Sequence, residues 1–306
     1  MVESALDVVG VGNAIVDVLA QAEDRLLIEH GLDKGTMTLI DAERADRLYR
    51  CMTSAIEVSG GSAANTLAGV ASFGGLGAYI GKVRDDQLGA VFSHDIRAAG
   101  VDYLSRPIGE GAPTARCLIF VTPDAQRTMQ TYLGISVQLG PDDIDPNAVG
   151  AAQITYLEGY LFDKEPAKQA FIRAAELAHA AGRKVALSLS DPFCVDRHRS
   201  AFRHLVSGHV DILFANEVEI ISLVEANSFD DAVNAIRDHC EIAALTRGAD
   251  GSVIVTAEKV VEIAAEPVER VVDTTGAGDL FAAGVLYGLT QGYEHGICGR
   301  LGSIAA

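Results

Sequence analysis

The sequence has no run approaching ~18 uncharged apolar residues, the length a membrane-spanning helix needs. Its first residues, MVESALD, are acidic and lack the basic flank of a signal peptide. Cysteine is sparse. Cys51, Cys117, Cys194, Cys240 and Cys298 are odd in number, widely scattered and free of any CxxC spacing. This excludes a disulfide framework and fits reduced, mostly buried thiols in a cytoplasm. Positive charge is also scarce: 24 Lys and Arg against 42 Asp and Glu leave a net charge of −18. Such a surface repels phosphate backbones, so a nucleic-acid partner is not expected. A small anion in a local pocket remains compatible with it. The phosphate loop GxxxxGK[ST] is missing, because Gly81-Lys82 is followed by Val83. HExxH, Cys/His metal spacings and GxSxG are missing too, which argues against a structural zinc site and a hydrolase triad. His198, His204 and His209 are interleaved with Arg197, Arg199 and Arg203 and read as a solvated helix face.

What remains is a chain of 306 residues, 49% hydrophobic and 22% charged, long enough for a sizeable core. Short apolar runs alternate with longer amphipathic stretches. Strands are expected at Ala5–Val11, Ala78–Ile80, Ile154–Leu157, Val185–Leu189, Asp211–Phe214 and Ile242–Thr246. Helices are expected over 61–73, 86–99, 165–181, 196–206 and 228–239. This alternation implies a largely parallel sheet with helices on both faces. Lys34–Ile40 and Ala115–Tyr132 break the pattern with period-two, β-branched stretches. Thr114–Val121 and Arg127–Tyr132 read as a hairpin around Thr122-Pro123-Asp124. We therefore expect one α/β domain over 1–306, with a small β lid from roughly 14–42 and 112–134.

Four motifs carry chemistry. Asp273-Thr274-Thr275-Gly276-Ala277-Gly278-Asp279 opens an Ala-rich helix. Small residues there leave backbone N–H groups free to converge on an anion, which the helix dipole also favours. Asp279 lies in the first turn, where it could take the proton of a hydroxyl attacking phosphorus. Ser59-Gly60-Gly61-Ser62-Ala63-Ala64-Asn65 reads as a strand-to-helix turn whose glycines admit a ligand to the backbone. Asn65, one turn beyond Gly61, could face that ligand with its amide. Gly10-Val11-Gly12-Asn13-Ala14-Ile15-Val16-Asp17 lacks the third glycine of a dinucleotide fingerprint. Asn13 and Asp17 are instead expected just past the first strand, with Asp17 able to clamp a diol. Asn216-Glu217-Val218-Glu219 puts an amide and a carboxylate on one helix face, able to hold magnesium waters or simply to cap the helix. Thr246-Arg247-Gly248-Ala249-Asp250-Gly251 ends a strand in a turn on which a nucleotide could lie.

Together these motifs resemble the ribokinase-like (pfkB) family of carbohydrate and nucleoside kinases. DTTGAGD at 273–279 is similar to its C-terminal signature and GGSAANTLAGVASFGG at 60–75 to its N-terminal one. The resemblance implies a three-layer α/β/α fold with a β lid, ATP as phosphoryl donor, Mg²⁺, and K⁺ as a stimulating cation. It implies Asp279 as base and Gly276, Ala277 and Gly278 as anion hole. Arg127 would be the lid arginine that reaches the transferred phosphate. Asp17, Gly60, Gly61 and Asn65 would hold the acceptor. Asn216 and Glu219 would serve Mg²⁺ and phosphate, Glu219 through water. Thr246, Gly248 and Gly251 would line the nucleotide, and Asp273 would neighbour a monovalent cation. Asn13 within GxGNxxxD resembles the adenosine-kinase members, as do Lys34–Asp41 and Arg127–Gly134. Met37, Met129, Tyr160 and Phe162 could then form an apolar slot for a purine, or else be ordinary packing. Family members usually continue past Gly302–Ala306 with a tail that helps to wall the adenine of ATP. Adenosine is the expected acceptor. A free-sugar kinase acting on ribose, fructose or a related ketose is the alternative, and a non-catalytic sensor of a sugar or nucleoside is the rival from another class. Monomer and homodimer both remain open.

Overall fold

A computed structural model describes residues 5–268 and 274–306, Asp163 through its backbone only. Fourteen strands lie among the described residues: β1 (Leu6–Val11), β2 (Ile15–Gln21), β3 (Met37–Leu39), β4 (Ile56–Gly60), β5 (Gly77–Ile80), β6 (Val101–Tyr103), β7 (Ala115–Val121), β8 (Arg127–Tyr132), β9 (Ala152–Glu158), β10 (Lys184–Ser188), β11 (Ile212–Asn216), β12 (Ile242–Thr246), β13 (Ser252–Val255) and β14 (Val260–Ile263). Nine of them form the main sheet in the order β14-β13-β12-β11-β10-β9-β1-β5-β6. From β12 to β6 the pairing is parallel throughout, and β13 and β14 add an antiparallel edge. Runs such as Val185-Ala186-Leu187 are apolar without alternation because helices cover both faces.

One helical layer comprises Pro146–Ala151, Glu165–Ala180, Pro192–His209, Glu217–Val224 and Phe229–Ile236. The other comprises Ser62–Ser72, Gln87–Ala98, Ala277–Thr290 and His295–Ala305. The strand order reverses at β1, flanked by β5 on one side and β9 on the other. That reversal opens a crevice at the carboxyl ends of these strands, where open α/β sheets take their ligands.

A second sheet has the order β3-β8-β7-β2-β4. The expected hairpin is β7 and β8, paired antiparallel. β4 was not expected, and β2, although inside the stretch expected to supply the lid, was not singled out as a strand. Residues 15–21 form a strand rather than a loop, pairing with β7 in parallel and with β4 antiparallel. Asp17 therefore sits within a strand and not just past β1. Val16, Val18, Leu118 and Phe120 point to one face and are buried with Leu27 and Leu48 of the helices Asp24–Glu29 and Ala42–Tyr49. None of the five cysteines, all among the described residues, is in a disulfide, and Cys117, Cys194 and Cys298 are buried. No helix among the described residues is long and apolar enough to cross a membrane.

Candidate active site

The helix Ala277–Thr290 begins in the crevice. Gly276 is its N-cap, in the left-handed region at φ 76°, so Ala277, Gly278 and Asp279 are its first three residues. The Ala277 N–H donates to the Thr274 carbonyl at 3.1 Å, while those of Gly278 and Asp279 precede the intrahelical ladder and face an incoming anion. A Cβ added at Gly278 would meet nothing within 4 Å.

Asp279 is gripped by the helix Ser62–Ser72. Ser62 Oγ donates to its Oδ1 at 2.6 Å, and Asn65 Nδ2 donates to its Oδ2 at 3.0 Å. Burial raises its carboxyl above the ordinary value, and these two bonds partly offset the rise. A base held in a fixed orientation with raised proton affinity suits it to a hydroxyl proton.

Asp17 faces the same crevice from the second sheet. Burial pushes its carboxyl up to about 6, the Arg127 charge draws it down and the Asp279 charge adds to the rise. Arg127 opens β8 on the face that carries Asp17. The structure thus brings Asp17 within electrostatic reach of both Asp279 and Arg127. Gly60 stands beside Asp17, and a Cβ there would fall 2.6 Å from the carboxylate. Its bareness makes room for a side chain of this protein rather than for a ligand.

Asn13 does not face the open crevice. It is 1% exposed, and its Nδ2 donates to Glu158 Oε1 at 2.9 Å. Its Oδ1 lies 2.9 Å from Ser136 Oγ. Gly61, at φ 100°, clears the Asn13 carbonyl, which a Cβ would approach to 2.2 Å. Glu158, at the carboxyl end of β9, was not anticipated. The signal was a lone acid closing an apolar strand ahead of a glycine. It is 1% exposed, burial pushes it up to about 7, and the N–H and amide donors around it partly offset that rise.

Asn216 and Glu219 form a reciprocal capping box. Asn216 Oδ1 accepts from Glu219 N, while the Glu219 carboxylate accepts from Asn216 N and Nδ2. Burial, with Asp191 nearby, pushes Glu219 up to about 7. An oxygen-only group whose charge is disfavoured by burial is one that a hard cation would relieve. Thr246 ends β12, and Gly248 and Gly251 bracket the turn beyond it at φ 56° and 86°. Asp273 lies outside the described residues.

The four slot residues part company. Met37 and Met129 pair across β3 and β8, on the Asp17 face, and Met37 is 48% exposed. Tyr160 is 41% exposed, with Asp191, Glu219, Glu158 and Asp279 all raising its phenol after burial. Phe162 is 3% exposed and stacks on Phe202, so it belongs to the core and not to a slot. Sequence reasoning missed Phe193, an aromatic 75% exposed after the Asp191 cap. Its neighbour Cys194 donates to the Gly159 carbonyl at 3.3 Å, so the loops of Tyr160 and Phe193 adjoin.

A family model described as pfkB family carbohydrate kinase matches residues 40–306. The adenosine kinase of Sinorhizobium meliloti is 51% identical and superposes with a TM-score of 0.90, over 98% of this chain and 92% of that one. A probable sugar kinase from Rhizobium etli CFN 42 is 50% identical with a TM-score of 0.91, over 99% and 92%. A 5-dehydro-2-deoxygluconokinase of Shouchella clausii is 30% identical over 256 residues, 81% of this chain and 78% of that protein.

Proposed function

The chain belongs to the pfkB family of carbohydrate kinases, and from that premise we propose that its acceptor is a nucleoside, adenosine first. As a member it is a phosphotransferase that moves a phosphoryl group from ATP to a hydroxyl of a small molecule. The acceptor reading rests on one observation. The face of the second sheet that carries Asp17 also carries Val58, Leu39, Met37, Met129 and Leu19, side chains that are apolar and not fully buried. A free sugar, with hydroxyls on every side, leaves that surface uncovered. The flat base of a nucleoside covers it while its ribose diol meets Asp17. The exposed rings of Tyr160 and Phe193 across the crevice suit the same base.

In this reading the acceptor's primary hydroxyl lies between Asp279 and the start of the helix Ala277–Thr290. Asp279 takes its proton as the oxygen attacks the γ-phosphorus. The N–H groups of Gly278 and Asp279 hold the charge that spreads over the phosphoryl oxygens, and Arg127 adds to it. Phosphoryl transfer passes through a loose transition state, so this positioning and charge stabilisation supply most of the rate. The second sheet serves as a lid that excludes water, which would otherwise compete as acceptor. Mg²⁺, held by Glu219 through water, would neutralise phosphate charge when bound. The turn Thr246–Gly251 lines the nucleotide.

A free-sugar kinase is the second reading, favoured by the likeness to the Rhizobium etli and Shouchella clausii proteins. A coupled ADP-release assay with ATP, Mg²⁺ and K⁺ separates the two, run across adenosine, inosine, guanosine, ribose, fructose and 2-keto-3-deoxygluconate. Adenosine is expected to give the highest kcat/KM. A free sugar in that place overturns the nucleoside reading and leaves the phosphoryl-transfer reading standing.

A further inference from the structure

The chain passes between the two sheets four times: at residues 12–14 from β1 to β2, at Gly61 after β4, at 104–114 from β6 to β7, and at 133–136 after β8. Two of these passages bond one buried carboxylate, and a third reaches it through Asn13. Glu158 Oε1 accepts from Asn13 N at 3.3 Å and from Asn13 Nδ2 at 2.9 Å, on the first passage. Its Oε2 accepts from Ala63 N at 2.8 Å, just beyond the second. On the last, Ser136 Oγ lies 2.9 Å from Asn13 Oδ1 and 2.6 Å from the Leu133 carbonyl, with one proton to serve both. The main chain is shaped around this knot. A Cβ at Gly12 would fall 2.4 Å from Glu158 Oε2, and one at Gly61 would fall 2.2 Å from the Asn13 carbonyl. The fourth passage has its own carboxylate, Asp86, which accepts from Thr114 N and Oγ1.

Both acceptor-facing carboxylates hang from the knot. Asn13 leads directly into β2, which carries Asp17. Ala63 follows Ser62, and Asn65 lies two residues on, the pair that grips Asp279. We propose that Glu158 is the pivot of the second sheet: a positioning residue that ties three of its four attachments, the third through Asn13, to the main sheet and so sets Asp17 against Asp279. The proposal rests on the acceptor reading above. Glu158 itself is closed off from the crevice, so it acts through Asn13 and Ala63 and not by touching the acceptor.

The test is Glu158→Gln, which turns one of the two acceptor oxygens into a donor facing donors. Hydrogen exchange of the protein without substrate is read beside steady-state kinetics. Exchange should rise about tenfold or more at residues 12–14, 61–65 and 133–136, and stay within about twofold in β10, β11 and β12. The acceptor KM should rise by about tenfold or more, while the ATP KM stays within about twofold, because the turn Thr246–Gly251 belongs to β12 and lies off the knot. The exchange pattern of the double variant Asn13→Asp/Glu158→Gln, which restores one amide–carboxylate bond with the roles exchanged, should recover toward that of the parent. If Glu158→Gln does not fold, Ser136→Ala, which deletes a single hydroxyl of the knot, should shift the same amides and the same KM by a smaller factor. Exchange that rises evenly over both sheets, or an acceptor KM that does not move, overturns the pivot. If no nucleoside or sugar is turned over at all, the acceptor reading fails, and the exchange pattern still decides the pivot.

Discussion

Asp279 and Gly278 are adjacent, and their neighbourhoods assign them different duties. Asp279 is held by two side chains of another helix, which fixes a carboxylate whose proton affinity burial has raised. Asp279→Asn keeps the shape and one acceptor oxygen but cannot take a proton. We expect kcat to fall by about 10²–10⁴-fold with acceptor binding retained, read by ADP release and by calorimetric titration. Unchanged turnover would remove Asp279 from the role of base. Gly278 differs from the motif glycines at 12, 60 and 61. The bare positions at 12, 60 and 61 are filled from within by Glu158, Asp17 and the Asn13 carbonyl, whereas an added methyl at 278 meets nothing. No packing contact requires that glycine, and in the proposed reading the phosphoryl group passes close to it. Gly278→Ala should leave Tm unchanged or slightly raised, since alanine favours a helix. It should cost about tenfold or more in kcat/KM for ATP. A loss of stability with unchanged kinetics would mean that the glycine serves the chain instead. The sequence shows that glycines cluster at both motifs. It does not show what fills the space beside each, which depends on strands distant in the chain.

Much of the main sheet was legible element by element, because buried parallel strands and amphipathic helices differ in period. The second sheet was less so, for a reason visible in β2. IVDVLAQ alternates as a half-buried strand should, yet only three residues separate it from β1. Its partner β7 is about a hundred residues away, so no local turn announces the pairing. Asp17 was singled out as a residue of interest and misplaced by that omission. The Asn216–Glu219 element shows the opposite case. Its spacing fits both a cation-holding pair and a capping box, and the side chains form the box. Asn216→Ala removes the cap and the side-chain donor to Glu219, and leaves the backbone N–H of residue 216 as its remaining donor. The expected loss is about 1 kcal/mol of stability, a fall in Tm of a few degrees for a chain of this size. An unchanged Tm in a thermal melt would show that the box contributes nothing to this helix.

At the scale of the whole molecule, charge and burial pull together. Burial holds Asp17 up to about 6 and Glu158 and Glu219 up to about 7. Each of these carboxyls titrates lower in the unfolded chain, so above the ordinary carboxylate range the folded state binds more protons than the unfolded one. Their contribution to stability is fully present below that range and is lost as pH rises through about 6 to 7. Asp124, drawn down to about 2 by Lys34, titrates far below this window and does not alter the slope within it. The net charge of −18 acts in the same direction, since self-repulsion grows as the last carboxyls ionise. Tm is therefore expected to be highest near pH 5 and to fall toward pH 8, with a shallower fall in Glu158→Gln, which carries one group fewer. Added salt should raise Tm more at the upper end, where repulsion is greatest. Turnover should run the other way. Asp279 accepts a proton only when ionised, so kcat should rise with pH along a limb set above the ordinary carboxylate range. A site that crowds buried carboxylates is most active where the fold that holds it is least stable. Thermal melts and initial rates on the same pH series test both slopes, and a Tm that climbs from pH 5 to 8 would show that the buried carboxyls do not govern this fold's response to pH.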